Sequence, residues 1–364
     1  MTTYRSAWIS LLMVLLLTAC ASGGQAIYTP STPAAGAPDA ETPDKFESPG
    51  EAITGKLVIY SGRSEPLIQP VIEAFELAHP QVEVLLKAGS NSELANALIE
   101  EQPNPQADVF ITTELFTVQS LAEQGVFQPY QPEGSDQLPA EFIDPQNRWV
   151  GLTRRARVIM YNSELVKPED LPRSIFDLVD PKWKGQVAAA GSTNGSMQAQ
   201  IAAMRQLLGE KATEEWLQGL IDNQVTFFGG HTDVRKAVGA GEFKLGLVNH
   251  YYFYLQQAEG SPVGIIFPDQ GEGQIGLITN ASAAAIVRGA GNPSAAQAFL
   301  DYLVSREGQE IFAKLNYEYP LLPAAAALPE LEPLEGFRLA EVEPAKAALE
   351  FKATFDLMER LGLP

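Results

Sequence analysis

The chain has 364 residues, 45 of them acidic against 25 basic, for a formal net charge of −20, and it carries a single cysteine. An acidic excess of that size argues against nucleic acid or an anionic membrane surface as partner, because both call for a basic face. One cysteine also excludes an internal disulfide, so the fold must be held by packing.

The first element is a processing signal. Arg5 gives a positive start, and Trp8 to Leu17 form an apolar stretch too short to span a bilayer comfortably. It runs into Leu17-Thr18-Ala19-Cys20, so residues 1–19 read as a lipoprotein signal peptide, cleaved before Cys20, whose thiol then takes a lipid. An ordinary secretory signal with an incidental cysteine is the alternative. Residues 20–55 are rich in Pro, Ala, Gly, Ser and Thr. A stretch so poor in large apolar side chains cannot offset its ordering entropy and reads as a lipid-anchored flexible linker.

The folded part begins with a strand at Lys56–Tyr60, a turn at Ser61–Glu65, and a helix entered through Pro66 with an apolar stripe at Leu67, Val71, Ile72 and Phe75. Val82–Leu86 is the next strand, Ser92–Glu101 a helix, and Ala107–Ile111 a third strand. That β-α-β-α-β order predicts an α/β fold with a parallel sheet, whose ligands sit at the carboxyl ends of strands. The rule selects Ser61–Glu65 and Thr112–Glu114. A second α/β set follows: a strand at Val158–Tyr161, a strand at Gln186–Ala190 opening into Gly191–Ser196, a helix at Asp233–Gly239, and a strand at Lys244–Val248. Ala281–Val287 reads as a further strand and Ser294–Leu315 as one or two helices.

Three constellations carry chemistry. Tyr251 and Tyr252 stand side by side at a strand end, where only a break in the strand lets both reach one site. Two phenols offer hard oxygen donors suited to a highly charged cation, and an aromatic patch packed at a strand end is the alternative. The loop at Ser192, Thr193 and Asn194 opens a helix and is either an anion cradle or a plain capped turn. Arg155 and Arg157 alternate onto one strand face, fit to clamp a carboxylate or carbonate or to form a structural ion pair. No Walker loop, dinucleotide fingerprint or nucleophile elbow is present, and the three histidines lack zinc-ligand spacing. The chain reads as a binding protein and not an enzyme.

Six segments in order resemble the ferric-iron-binding proteins of bacterial ABC importers, within the extracellular solute-binding class. They are Val58-Ile59-Tyr60-Ser61-Gly62-Arg63, Ala107-Asp108-Val109-Phe110, Arg155-Ala156-Arg157-Val158-Ile159-Met160-Tyr161-Asn162, Pro181-Lys182-Trp183-Lys184-Gly185, Leu247-Val248-Asn249-His250-Tyr251-Tyr252 and Tyr317-Glu318-Tyr319-Pro320. The resemblance covers about residues 56–325. It implies a type II periplasmic-binding-protein fold, with two parallel or mixed sheets joined by a hinge: an N-terminal lobe of 56–150 and 281–322, and a C-terminal lobe of 151–280 and 323–364. It further implies Fe(III) ligated by Tyr251 and Tyr252, with Glu65, Glu114 or His231 as additional ligands. Carbonate or a similar synergistic anion would be held by Arg155, Ser192, Thr193 and Asn194, with Asn249 and Ser61 nearby. The first-loop histidine of the family is replaced here by Ser64 and Glu65, a family carboxylate position falls near Thr113, and a third family tyrosine falls near Gly195. The implied partners are a permease with its ATPase, the implied state a monomer, and the implied location the cell envelope, anchored through Cys20. The other readings are a receptor for an organic anion, an envelope-anchored hydrolase and a ligand sensor.

Overall fold

The computed structural model describes residues 53–364. The signal peptide, Cys20 and nearly all of the expected linker lie outside the described residues.

The chain opens with β1 (Gly55–Ser61), α1 (Glu65–Ala78), β2 (Val82–Ala88), α2 (Asn91–Glu100), β3 (Val109–Thr112) and α3 (Leu115–Glu123), the order its apolar periodicity predicts. β1 runs parallel to both β2 and β3. β4 (Val150–Asn162) follows, 13 residues long. Next come β5 (Val187–Ala190), α4 (Gly195–Leu208), α5 (Glu210–Asp222), β6 (Thr226–Phe228), α6 (His231–Gly239), β7 (Leu245–Asn249), α7 (His250–Ala258) and β8 (Val263–Ile266). β9 (Thr279–Ile286), α8 (Pro293–Val304), α9 (Arg306–Asn316), β10 (Tyr319–Pro320), α10 (Pro344–Leu349) and α11 (Phe351–Arg360) complete the order.

The strands line up as β2-β1-β3-β9-β4-β7-β5-β6, and β4 belongs to both halves of that path. Residues 150–156 of β4 pair antiparallel with β9, and residues 157–161 pair antiparallel with β7. The sheet therefore changes partner between Ala156 and Arg157. This gives the two-lobed, type II architecture of mixed sheets. The sequence predicts only Val158–Tyr161 as strand here, because Arg154-Arg155-Ala156-Arg157 interrupts the apolar run. Arg155 lies beside the buried Glu318, Arg157 bonds the buried Gln200 and Asn249, and Arg154 pairs with the exposed Glu141, so their charge does not end the strand.

Each lobe has its own core. Leu57, Ile59, Phe75, Phe110, Phe299 and Phe312 pack in the first; Trp183, Met204, Trp216, Leu217 and Leu247 pack in the second. The expectation that 323–364 belongs to the second lobe misses α10, which packs against both α3 and α4 and buries Ala347 in the first core. Leu357, Met358 and Leu363 do join the second. Among the described residues no helix is long and apolar enough to cross a membrane.

At the junction sits Glu318, fully buried, just before β10. Arg63, in the loop after β1, donates two hydrogen bonds to it, at 2.5 and 2.9 Å, and others to Thr153 on β4 (3.0 Å) and Ser282 on β9 (2.7 Å). Thr153 also donates to Glu318. Arg63 and Glu318 together thus tie the first loop to β4, β9 and the start of β10. Burial opposes its ionisation, but Arg63 and then Arg155 outweigh that and hold Glu318 below the usual carboxylate range. Its contribution is present above the unfolded carboxyl value of about 4.3 and fades as pH falls through the lower native value. Replacing Glu318→Ala leaves buried guanidinium charge uncompensated and should cost about 3 kcal/mol at neutral pH, read by urea denaturation. The gap between mutant and wild type should narrow in acid.

Candidate functional site

β7 stops at Asn249, and α7 starts at His250. The pair therefore sits in the first turn of a helix, where successive side chains are not sent to opposite faces. Tyr251 and Tyr252 stack at 4.3 Å between ring centroids, tilted by 34°, and both line one cavity of about 430 Å³. Burial, then the neighbouring Tyr251 phenol, pushes the Tyr252 phenol well above its ordinary value.

The cavity follows from the topology. Two sets of three parallel strands, β1, β2, β3 in one and β5, β6, β7 in the other, end at it, each strand handing over to a helix start. Gly62–Ser64, Gly89–Asn91, Thr113, Thr193–Ser196, Gly229–Thr232 and the tyrosine pair line the wall, joined by Arg155 from β4. Helix N-termini present unpaired N–H groups and positive potential. Among the described residues no aspartate or glutamate belongs to the lining.

Of the expected anion residues, Arg155, Thr193 and Asn194 line the cavity. Arg155 is 1% exposed; it donates to the Thr113 carbonyl, and its Nε, 3.8 Å from Glu318, has no hydrogen-bond partner. Asn194 caps α4, accepting from the Ser196 and Met197 N–H groups at 3.1 and 3.2 Å. Ser192 is turned away: its N–H donates to the Pro364 backbone oxygen at 2.6 Å, and its carbonyl accepts from Gln198 at 2.7 Å. Ser61 is buried behind the wall, its hydroxyl accepting from the Arg63 N–H at 3.1 Å. Asn249 is also behind, accepting from Arg157 at 3.0 Å and donating to Ser196 at 3.0 Å. It holds the site together without lining it.

The expected additional metal ligands do not assemble. Glu65 is exposed in the first turn of α1 and does not line the cavity. Glu114 is fully buried as the cap of α3, its oxygens taken by the Phe116 and Thr117 N–H groups, and burial pushes its carboxyl up. His231 does line the wall. Its Nε2 lies 3.0 Å from Arg157 Nη1, and a guanidinium only donates, so Nε2 accepts and the ring proton rests on Nδ1. With Nε2 used and the proton on Nδ1, His231 keeps no free nitrogen lone pair for a metal in this arrangement.

Arg157 lies behind the wall, bonded also to Gln200 at 2.8 Å. Burial brings it down to about 9, with the tyrosines opposing and Arg155 assisting. Of the wall, Ser90, Asn91, Gly229, Gly230 and Thr232 escape the sequence reading, whereas Ser64 and Thr113 fall in the two loops that the strand-end rule selects. Two signals were readable: the capping box from Ser90 to Glu93 and the Gly229-Gly230 pair before a helix. Gly195 meets the first lobe directly. A Cβ there would collide with the Asn91 amide and come within 2.9 Å of the Thr113 hydroxyl, so no tyrosine side chain has room in this arrangement.

Burial and then the flanking Arg157 and Arg155 charges hold His231 well below its ordinary value, and burial brings His250 down to about 3. Burial also lowers the partly buried His79, which has no flanking charge against it, so its imidazole should be the first of the three to titrate as pH falls, read by nitrogen-15 NMR.

Comparison places the chain among known proteins. The model for the bacterial extracellular solute-binding protein family matches residues 104–340. The chain is 36% identical over 295 residues to iron uptake protein A1 of Synechocystis, covering 78% of this chain and 79% of that one. It is 31% identical over 313 residues to the Fe(3+)-binding periplasmic protein of Serratia marcescens, covering 84% and 90% respectively. The crystal structure of iron-bound HitA from Pseudomonas aeruginosa matches with a TM-score of 0.78 at 28% identity, covering 85% of this chain and 99% of that one. The chain belongs to the bacterial extracellular solute-binding proteins.

Proposed function

We propose that this protein is the receptor of an ABC importer, capturing ferric iron between its lobes and delivering it to a membrane permease with its ATPase. The observation that carries the reading is the convergence of Tyr251 and Tyr252 on one cavity with positive potential. Each phenol is protonated at neutral pH, since a free one has a pKa of about 10. A trivalent ion displaces both protons, and its own charge makes that favourable. Arg155 and the Thr193–Asn194 loop then hold a synergistic oxyanion such as carbonate, which fills coordination positions and offsets charge. The similar Synechocystis, Serratia and Pseudomonas proteins, an iron uptake protein, an Fe(3+)-binding protein and an iron-bound protein, support the same ligand.

In this reading the lobes are 56–150 with 281–322, and 151–280 with 323–364, with α10 as a bridge. The protein acts as a monomer, tethered through a lipid on Cys20, and catalyses no reaction. Closure about the shared strand traps the cargo. An organic-anion receptor is the second reading, favoured by a lining without carboxylates.

Adding ferric salt with bicarbonate to the purified protein should produce a visible phenolate-to-iron band. Tyr251→Phe and Tyr252→Phe should each abolish or shift it and weaken iron by more than about 100-fold, beyond the cost of losing an outer-shell partner. Affinity should fall as the medium is acidified, because protons compete for the phenolates. A colourless protein stabilised against heat by an organic anion alone would replace iron with the second reading.

A further inference from the structure

Resting on the ferric reading, we infer that Glu318 is the residue that makes the oxyanion depend on iron. Acting through Arg63 and Arg155, it weakens the site's hold on a bare anion and leaves the hold on the complete load nearly unchanged. Its place in the fold, the charges around it and the charge of the load all point to that role.

The wall carries an excess of positive charge. Arg63 and Arg155 line the cavity and are at most 3% exposed, and each keeps an Nε–H without a partner in the protein. Arg157 stands behind the wall on neutral partners, Gln200, Asn249 and His231. The helix starts add their own positive potential. Such a wall attracts any small oxyanion, with or without a metal.

The opposing charge stands out of reach of the cargo. Glu318 is fully buried and does not belong to the lining, so it does not compete as a ligand. Arg63 bonds it at 2.5 and 2.9 Å, and the Arg155 Nε lies 3.8 Å from it. The two guanidiniums that face the cavity therefore share one carboxylate at their backs. Glu114, the other buried acid that acts on Arg155, spends its oxygens on the Phe116 and Thr117 N–H groups.

The charge of the load decides what that carboxylate does. A bare dianion meets the field of Glu318 in full. Ferric iron with a dianion nearly cancels, because a trivalent ion enters as both phenols lose their protons. In a poorly solvated wall, one nearby unit charge shifts an equilibrium by about tenfold or more. Glu318 thus penalises the anion alone and iron lifts the penalty, which is a coupling between two ligands.

The test uses the purified protein, with inorganic sulfate as the bare dianion and ferric salt with bicarbonate as the load, both titrated by calorimetry. Glu318→Gln keeps the shape and removes the charge. It should bind sulfate about tenfold tighter or more and change iron with bicarbonate by less than about threefold. Glu318→Asp should return sulfate to the wild-type affinity. A carboxylate that only holds the fold together would do the reverse, with both ligands weakened when it is lost. If Glu318→Gln does not fold, the same substitution is made in Arg63→Gln, which leaves a neutral pair. Sulfate should again tighten about tenfold relative to Arg63→Gln alone. Sulfate unchanged or weakened, or iron with bicarbonate shifted as far as sulfate, overturns the role of Glu318 and leaves the ferric reading standing. No phenolate-to-iron band in the wild type removes the ferric reading, and the coupling with it.

Discussion

Everything at the junction depends on how buried guanidinium charge is balanced. Arg63, Arg155 and Arg157 are all nearly inaccessible, and Glu318 is the carboxylate that pairs with the first two. Desolvating a charge costs several kcal/mol even after relaxation, so an uneven set of this kind is tolerated only where something else supplies negative charge. The phenols of Tyr251 and Tyr252 face the same arginines, which is why their charges bear on Arg63 and Arg157 in the electrostatics. Emptied of anions, the site is strongly positive. Filled by two phenolates, it is close to neutral before any iron is counted, which leaves the added metal charge to be met by an incoming oxyanion.

Much of this is legible from residues alone. The β-α-β order, the strand-end rule and the tyrosine doublet lead to the correct fold and to one wall of the cavity. What escapes is what depends on contacts distant in sequence. Glu318 enters the sequence reading only as one residue of the Tyr317–Pro320 segment, because its partner Arg63 is 255 residues away. Glu114 reads as a metal ligand one position from a family carboxylate, yet its backbone neighbours claim it as a helix cap. His231 reads as a ligand because histidine so often is one; the tautomer forced on it by Arg157 is a property of packing that no local pattern carries. Ser192 reads as a cradle residue until the far end of the chain, at Pro364, takes its N–H.

Glycine accounts for a further departure. Asn91 is wedged against Gly62 of its own lobe and Gly195 of the other, and neither position tolerates a side chain. The bare glycine at 195 lets α4 approach α2 closely, and Gln198 reaches Ser92 at 3.4 Å.

The continuity of β4 has a mechanical corollary. A strand that is hydrogen-bonded on one stretch to β9 and on the next to β7 cannot swivel freely, so any spreading of the two halves must appear as torsion around Ala156 and Arg157. Arg155 and Arg157 are mounted on either side of that point, and the His250 ring accepts the Ala156 N–H at 3.2 Å directly beneath the tyrosines. Wringing the strand would therefore shift the cation clamp and the phenol pair together, making the unloading of the cargo an act of leverage as much as of chemistry.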